Sequence, residues 1–169
     1  MPASVRIRRG APDDVPLVQR LAHAIWHAHY PSMLSAAQID YMLARGYCDA
    51  ALMPFATDPA RGLALAEQGQ RAVGFAAWYP PGDAATMKLD KLYVLPAWHR
   101  RGVGRALIEH VAGAARAAGC RTLVLNVNRN NAGAVQAYER CGFAIREAAD
   151  FPIGDGFVME DYVMARPLA

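Results

Sequence analysis

From Leu92 the chain reads Leu92-Tyr93-Val94-Leu95-Pro96-Ala97-Trp98-His99-Arg100-Arg101-Gly102-Val103-Gly104-Arg105-Ala106-Leu107. An apolar strand runs into Pro96, a turn follows, and glycines open a helix. Gly102 and Gly104 have no Cβ, so the backbone there can approach a ligand closely. The first turn of such a helix presents N–H groups without intrahelical partners and the positive end of the dipole. That is an anion site suited to a pyrophosphate, and Arg100, Arg101 and Arg105 add positive charge to it. A lone Gly-x-Gly is equally how an ordinary helix begins. A dinucleotide fingerprint needs a third glycine at position 107, where Leu107 stands. No Gly-Lys-Ser/Thr follows, so the nucleoside-triphosphate loop fails too. A phosphate-bearing ligand of another kind remains.

The elements around this turn are those of a mixed α/β domain. Val5 to Arg9 alternates like a short strand, and Gly10 to Asp14 turns into a helix with Asp13 as its cap. Helical spacing continues to Pro31, and Ser35 caps a second helix. Leu63–Glu67 and Ala72–Tyr79 form a hairpin about Gln68-Gly69-Gln70, and Thr86–Leu95 is a further strand. A helix from Gly102 to Ala118, a strand from Arg121 to Val127 and a short helix from Asn131 to Cys141 follow. Phe143–Arg146 and Phe157–Met164 read as the last two strands.

The 169 residues suit one domain spanning 1–169, large enough to fold without a metal or disulfide staple. With 54% hydrophobic and 20% charged residues the chain is neither disordered nor fibrous. A net charge of +3 gives no argument for nucleic acid, and no apolar run is long enough to span a bilayer. Behind Met1 to Arg9 no apolar signal segment follows, which predicts a cytoplasmic protein. Cys48, Cys120 and Cys141 fit neither a disulfide framework nor a zinc knuckle and read as buried reduced thiols. His23 and His27 stand four apart on one helix face, but no third ligand is near, so no metal is expected.

The spacing then becomes specific. Leu92-Tyr93-Val94-x-Pro96 followed by Arg101-Gly102-Val103-Gly104-Arg105-Ala106-Leu107 resembles the acetyl-CoA motif of the GNAT superfamily of N-acetyltransferases. Leu123-Val124-Leu125-Asn126-Val127-Asn128, leading into Asn131-x-x-Ala134-x-x-x-Tyr138-x-x-x-Gly142-Phe143, is similar to the second part of that family's cofactor site. A weaker resemblance runs from Val5 to Leu168. It implies a GNAT-like α/β fold: a central, mostly antiparallel sheet of about seven strands, splayed between strands 4 and 5 and flanked by about four helices. It implies acetyl-CoA as cosubstrate, held by Tyr93, Val94, Leu95, His99, Arg100, Arg101, Gly102, Val103, Gly104, Arg105, Asn126, Asn131, Ala134 and Tyr138. His99 stands where the family's loop usually carries Gln or Arg, and Arg100 where it often has Gly. Most phosphate contacts of the motif come from backbone N–H groups, which these changes spare.

Amine acetylation needs a proton taken from an ammonium, a donor for the carbonyl oxygen and an acid for the leaving thiolate. By resemblance the donor is the Val94 backbone N–H at a bulge of the fourth strand, and the acid is Tyr138. Alone, Tyr138 would equally be a core aromatic and Asn131 a helix cap. The base stays open between Asp90, in the strand leading to the turn, and Glu67, in the preceding hairpin. Trp26, His29 and Tyr30 end the first helix, a region that lines the acceptor cleft in this family; an aromatic packing cluster is the other reading. Ser35–Leu43 and Ile153–Met164 resemble a bacterial branch that includes polyamine acetyltransferases, and Asp40, Asp49, Asp150, Asp155, Glu160 and Asp161 offer negative charge to a polycation. The expected acceptor is a primary amine, a polyamine or another small amine. A peptide or protein N-terminus or lysine, or a non-catalytic acetyl-CoA sensor, is the alternative. The resemblance admits a homodimer and gives no nucleic-acid or membrane partner.

Overall fold

The computed structural model describes residues 4–169; Met1, Pro2 and Ala3 of the N-terminal stretch lie outside the described residues. Seven strands form one sheet: β1 (Arg6–Arg9), β2 (Gly62–Gln68), β3 (Arg71–Tyr79), β4 (Thr86–Val94), β5 (Thr122–Asn128), β6 (Ala144–Gly154) and β7 (Phe157–Pro167). Their order is β1-β2-β3-β4-β5-β7-β6. Neighbours are antiparallel except β4 and β5, which run parallel. Among the described residues five helices flank the sheet: α1 (Val15–His29), α2 (Ala36–Gly46), α3 (Asp49–Thr57), α4 (Val103–Ala117) and α5 (Ala132–Arg140). Among the described residues no helix is long and apolar enough to cross a membrane.

Alternation along the strands makes two cores. Ala64, Ala66, Val73, Ala76, Met87, Leu89, Leu123 and Leu125 face α4, whose Leu107 and Val111 are fully buried against them. Leu63, Leu65, Phe75 and Ala77 face α1 to α3. The small alanines on the α4 side let that helix lie close to the sheet. Two bulges reset the phase. Ala66 pairs with Gly74 and Glu67 with Ala72, so Val73 is the extra residue of β3. Ala77 pairs with Lys91 and Trp78 with Leu89, so Asp90 is the extra residue of β4. Beyond Asp90, even-numbered Leu92 and Val94 face α4, whereas before it odd-numbered Met87 and Leu89 did. Tyr93 is thereby turned to the α1 side. A Cβ on Gly74 would stand 2.9 Å from the Tyr93 carbonyl oxygen, so this close pairing of β3 and β4 requires glycine.

Several expectations need correction. The α3 helix was not anticipated and raises the count from about four helices to five. It contains Pro54 and is apolar on most sides, which hides a helical period. Asp14, not Asp13, ties the start of α1: its carboxylate accepts the Ala11 N–H at 2.8 Å and holds Arg8. Both last strands run longer than expected, closed by a turn with Asp155 and Gly156 at positive φ. Ser35 does cap α2, accepting the Gln38 N–H at 3.1 Å. The three cysteines are free, but only Cys120 is buried; Cys48 is exposed at the start of α3 and Cys141 is half-buried.

Candidate active site

The parallel pairing of β4 and β5 covers only Thr86–Thr122, Met87–Leu123 and Lys88–Val124. Past Lys88 the two strands part, and a cleft of about 1040 Å³ opens between them. The alternation of β3 and β4 fixes what faces this split. The Leu95 N–H donates to the Val73 carbonyl at 2.9 Å. The opposed pairs Phe75–Tyr93 and Ala77–Lys91 share that phase, so their main-chain groups are spent on β3. The main-chain groups of Leu92 and Val94 therefore turn toward the side β5 has left. The Val94 carbonyl accepts from His99 Nε2 at 2.8 Å, which folds the His99 ring back onto β4. The N–H groups of Leu92 and Val94 face the split.

On the α4 side the cleft is built from backbone. Gly102 caps α4 at φ +81°, with no side-chain cap. Arg100 precedes it at φ +62°. The first helical bond is from the Ala106 N–H to the Gly102 carbonyl at 3.0 Å. The N–H groups of Val103, Gly104 and Arg105 thus have no intrahelical partner. A Cβ on Gly104 would meet no protein atom within 4 Å, and its φ is ordinary, so protein packing does not demand glycine there. A cradle of free amides, open where a Cβ would intrude and flanked by Arg100 and Arg105, fits a diphosphate. Across it, Asn131 caps α5 by accepting the Ala134 N–H at 3.3 Å, and Arg105 reaches the Arg140 carbonyl at 3.2 Å. Tyr138 projects from α5 into the cleft and packs edge-on against Phe143. Burial raises its phenol pKa well above the ordinary value, so it keeps its proton at neutral pH.

On the α1 side the cleft is built from side chains. Trp26, Tyr30 and Tyr93 form one aromatic cluster, with ring centroids 4.4 to 6.4 Å apart. The Tyr30 and Tyr93 hydroxyls lie 3.4 Å apart, and burial raises both phenols. His29 is lowered, chiefly by burial and further by the nearby His99, while the Asn131 amide opposes this. The β6–β7 hairpin closes over this compartment by docking on α2. The Tyr41 hydroxyl donates to the Ile153 carbonyl at 2.8 Å, and the Gln38 amide donates to the Val158 carbonyl at 3.1 Å. Lys88 Nζ donates to the Asn126 side-chain oxygen at 3.0 Å, and Lys91 pairs with Asp90 at 2.8 Å.

Most sequence-selected residues do come together. Trp26, His29, Tyr30, Asp90, Tyr93, Val94, His99, Arg100, Gly102, Val103, Gly104, Arg105, Asn126, Asn131, Ala134 and Tyr138 all line the cleft. Arg101 does not; its guanidinium lies 4.9 Å from the Trp98 ring centroid. Leu95 instead packs between the two cores. Glu67 is bound to Arg8 and Arg6 away from the cleft, which removes it as a base. Of the six carboxylates offered to a polycation, only Asp161 lines the cleft. Asp150 pairs with Arg129 at 2.6 Å, Asp49 accepts from Gln19, and Asp40 lies 3.8 Å from His27. Sequence reasoning missed the Leu92 amide, Lys88 and the α2 clasp. It also missed the isolation of Asp161, although β7 carries a signal: Phe157, Met159, Asp161 and Val163 share one face, an acid in an apolar series.

The family model of the acetyltransferase (GNAT) family matches residues 20–143. The chain belongs to the GNAT acetyltransferase family. It is 36% identical over 114 residues to an uncharacterized N-acetyltransferase of Mycobacterium bovis, covering 68% of this chain and 72% of that one. It is 39% identical over 90 residues to the ribosomal protein bS18 alanine N-acetyltransferase of Escherichia coli, covering 52% and 58%. The crystal structure of the PaiA N-acetyltransferase from Thermoplasma acidophilum in complex with coenzyme A is similar with a TM-score of 0.83 at 20% identity, covering 97% and 99%. That last likeness is one of fold.

Proposed function

We propose that this protein transfers an acetyl group from acetyl-CoA to the nitrogen of a primary amine, with both bound at once and the amine attacking directly. The observation that carries the reading is the α4 turn. It offers three unpartnered amides and an open Gly104 at the mouth of a split between parallel strands. The amides of Val103, Gly104 and Arg105, with Arg100 and Arg105, would hold the diphosphate, and Asn131 and Ala134 on α5 would flank the arm that leads to the thioester. When bound, acetyl-CoA supplies the activated acyl carbon.

The residues of the split do the rest. The Leu92 and Val94 N–H groups are fixed donors aimed where carbonyl-oxygen charge develops, and fixed donors need no reorganisation during reaction. Tyr138 retains its proton at neutral pH and gives it to the leaving sulfur. Two measurements test the reading. Calorimetry with acetyl-CoA should show one site per chain, and free thiol should appear only when an amine is added. No heat of association with native protein would end the proposal; binding without amine-dependent thiol release would make the protein a sensor instead.

A further inference from the structure

We infer that Asp161 is the carboxylate that receives the acceptor's ammonium, and that the acceptor carries a single ammonium on an apolar body. This rests on the acetyltransferase reading and identifies its acceptor class. Asp161 is 6% exposed and lines the cleft, and its Oδ1 is the one fully buried side-chain oxygen among the described residues without a hydrogen-bond partner. A buried charged oxygen left unpaired is costly, so a site that keeps one has a use for it. The other charged groups of this compartment are already engaged. Asp90 holds Lys91, which lies over the Tyr47 ring, and Lys88 is held by Asn126. Lys88 and Arg129 are the positive groups that act on Asp161, with Arg129 itself paired to Asp150; the Asn126 amide hydrogen-bonds to the carboxylate, Tyr30 lies near it, and Oδ1 is still without a partner. Burial outweighs them and raises the Asp161 pKa, which makes its ionised form a stronger base than an ordinary carboxylate.

The register puts Asp161 opposite Asn128 on the same sheet face as Asn126 and Lys88, at the acceptor side of the split. Trp26, Met42, Phe151 and Met159 wall that side with apolar surface. A second ammonium on the acceptor would face Lys88 or Lys91, not another unpaired acid. A peptide would have to cross the hydrogen bonds that tie α2 to the β6–β7 hairpin. In the reaction, an ammonium N–H gives its proton to Asp161 Oδ1, and the freed pair forms the C–N bond. The C–S bond breaks with its pair on sulfur, which takes the Tyr138 proton. The nitrogen's second proton returns through water to Tyr138, and Asp161 releases its own to solvent. Ammonium plus thioester thus becomes amide, thiol and one proton.

The test uses 2-phenylethylamine as the single-ammonium probe, with spermidine and an alanine-initiated peptide as competitors. The wild-type protein should use the ammonium form, giving kcat/KM that is level from neutral pH toward the amine pKa of about 10. Asp161→Asn should bind acetyl-CoA with unchanged affinity by calorimetry, with no fall in Tm. Its kcat/KM at pH 7.5 should drop about 100-fold and climb tenfold per pH unit toward the amine pKa, because only free base then reacts. Spermidine and the peptide should each run at least about tenfold below 2-phenylethylamine, a difference of about 1.4 kcal/mol in transition-state binding. Parallel pH profiles for the two proteins, a variant that loses cofactor affinity and Tm together, or a preference for spermidine or the peptide each overturn the inference. Wild-type protein that binds no acetyl-CoA would sink the acetyltransferase reading instead.

Discussion

The two sides of the split sheet are built from different parts of the polypeptide. Facing α4, the contacts are main-chain: the amides of Val103 to Arg105, the left-handed Gly102 and the outward N–H groups of Leu92 and Val94. Facing α1, they are side chains drawn from α1, α2, β4, β5, β6 and β7. Main-chain donors are set by local dihedrals and change little with side-chain identity. Side chains can be replaced one at a time. One face can therefore keep a fixed cosubstrate while the other is fitted to a particular acceptor, and substitutions on the two faces should separate cofactor affinity from acceptor kinetics.

The largest separation should come from Gly104→Val. Its Cβ would enter the space beside the free amides with no atom from outside its own turn within 4 Å, so folding should be little affected. Acetyl-CoA affinity should fall about 1,000-fold, near 4 kcal/mol, with Tm unchanged without ligand. Normal affinity by calorimetry would break the main-chain description of this face. Next is Tyr138→Phe, which keeps the edge-on packing on Phe143 and removes only the proton donor. We expect kcat to fall about 100-fold with cofactor affinity within about threefold. Unchanged kcat would take the acid role from Tyr138.

The same division decides what was legible in the sequence. The α4 face rests on contiguous segments whose glycines, cap and tyrosine have fixed offsets, so its residues stood out as a motif. The α1 face has no motif because its members meet only in three dimensions: Lys88 meets Asn126, and Gln38 meets Val158. Asp161 was visible as one acid among six, set apart only by its place in the apolar face of β7; that Asp150 is neutralised by Arg129 is a contact made in three dimensions. The bulge at Asp90 is equally non-local, since it exists only as a register shift against Ala77 and Trp78. The seven strands were legible because β2, β3 and β5 are short, nearly continuous apolar runs bounded by turn residues, as strands buried on both faces are. The apolar, proline-bearing α3 was not, because its surroundings rather than its own pattern hold it helical.

A smaller effect should follow from Tyr41→Phe, far from either reacting atom. The Tyr41 hydroxyl ties α2 to the Ile153 carbonyl across the acceptor compartment. Losing one part-buried hydrogen bond costs about 1 kcal/mol, or about fivefold in an equilibrium that depends on it. We expect the amine KM to rise by about that factor while acetyl-CoA affinity stays constant. Equal changes in both would show that the hairpin braces the whole cleft, and the contrast between the faces would be blunted.

The smallest effect sits on the seam. His29 ends α1 on the acceptor face, yet it interacts with Asn131 and His99, both from the cofactor face. Its folded pKa is lowered, chiefly by burial, so the unfolded chain binds a proton first as pH falls through about 6.5. Folding stability must then decline on the acid side of that value, and His29 contributes to the decline. In His29→Gln that contribution vanishes, so the fall in Tm between pH 7.5 and 5.5 should shrink by about 1–2 °C. An unchanged fall would mean that His29 is solvated and the two faces are joined elsewhere. A larger fall would mean that protonated His29 is stabilised where it stands, the opposite sign from a half-buried neutral imidazole beside His99.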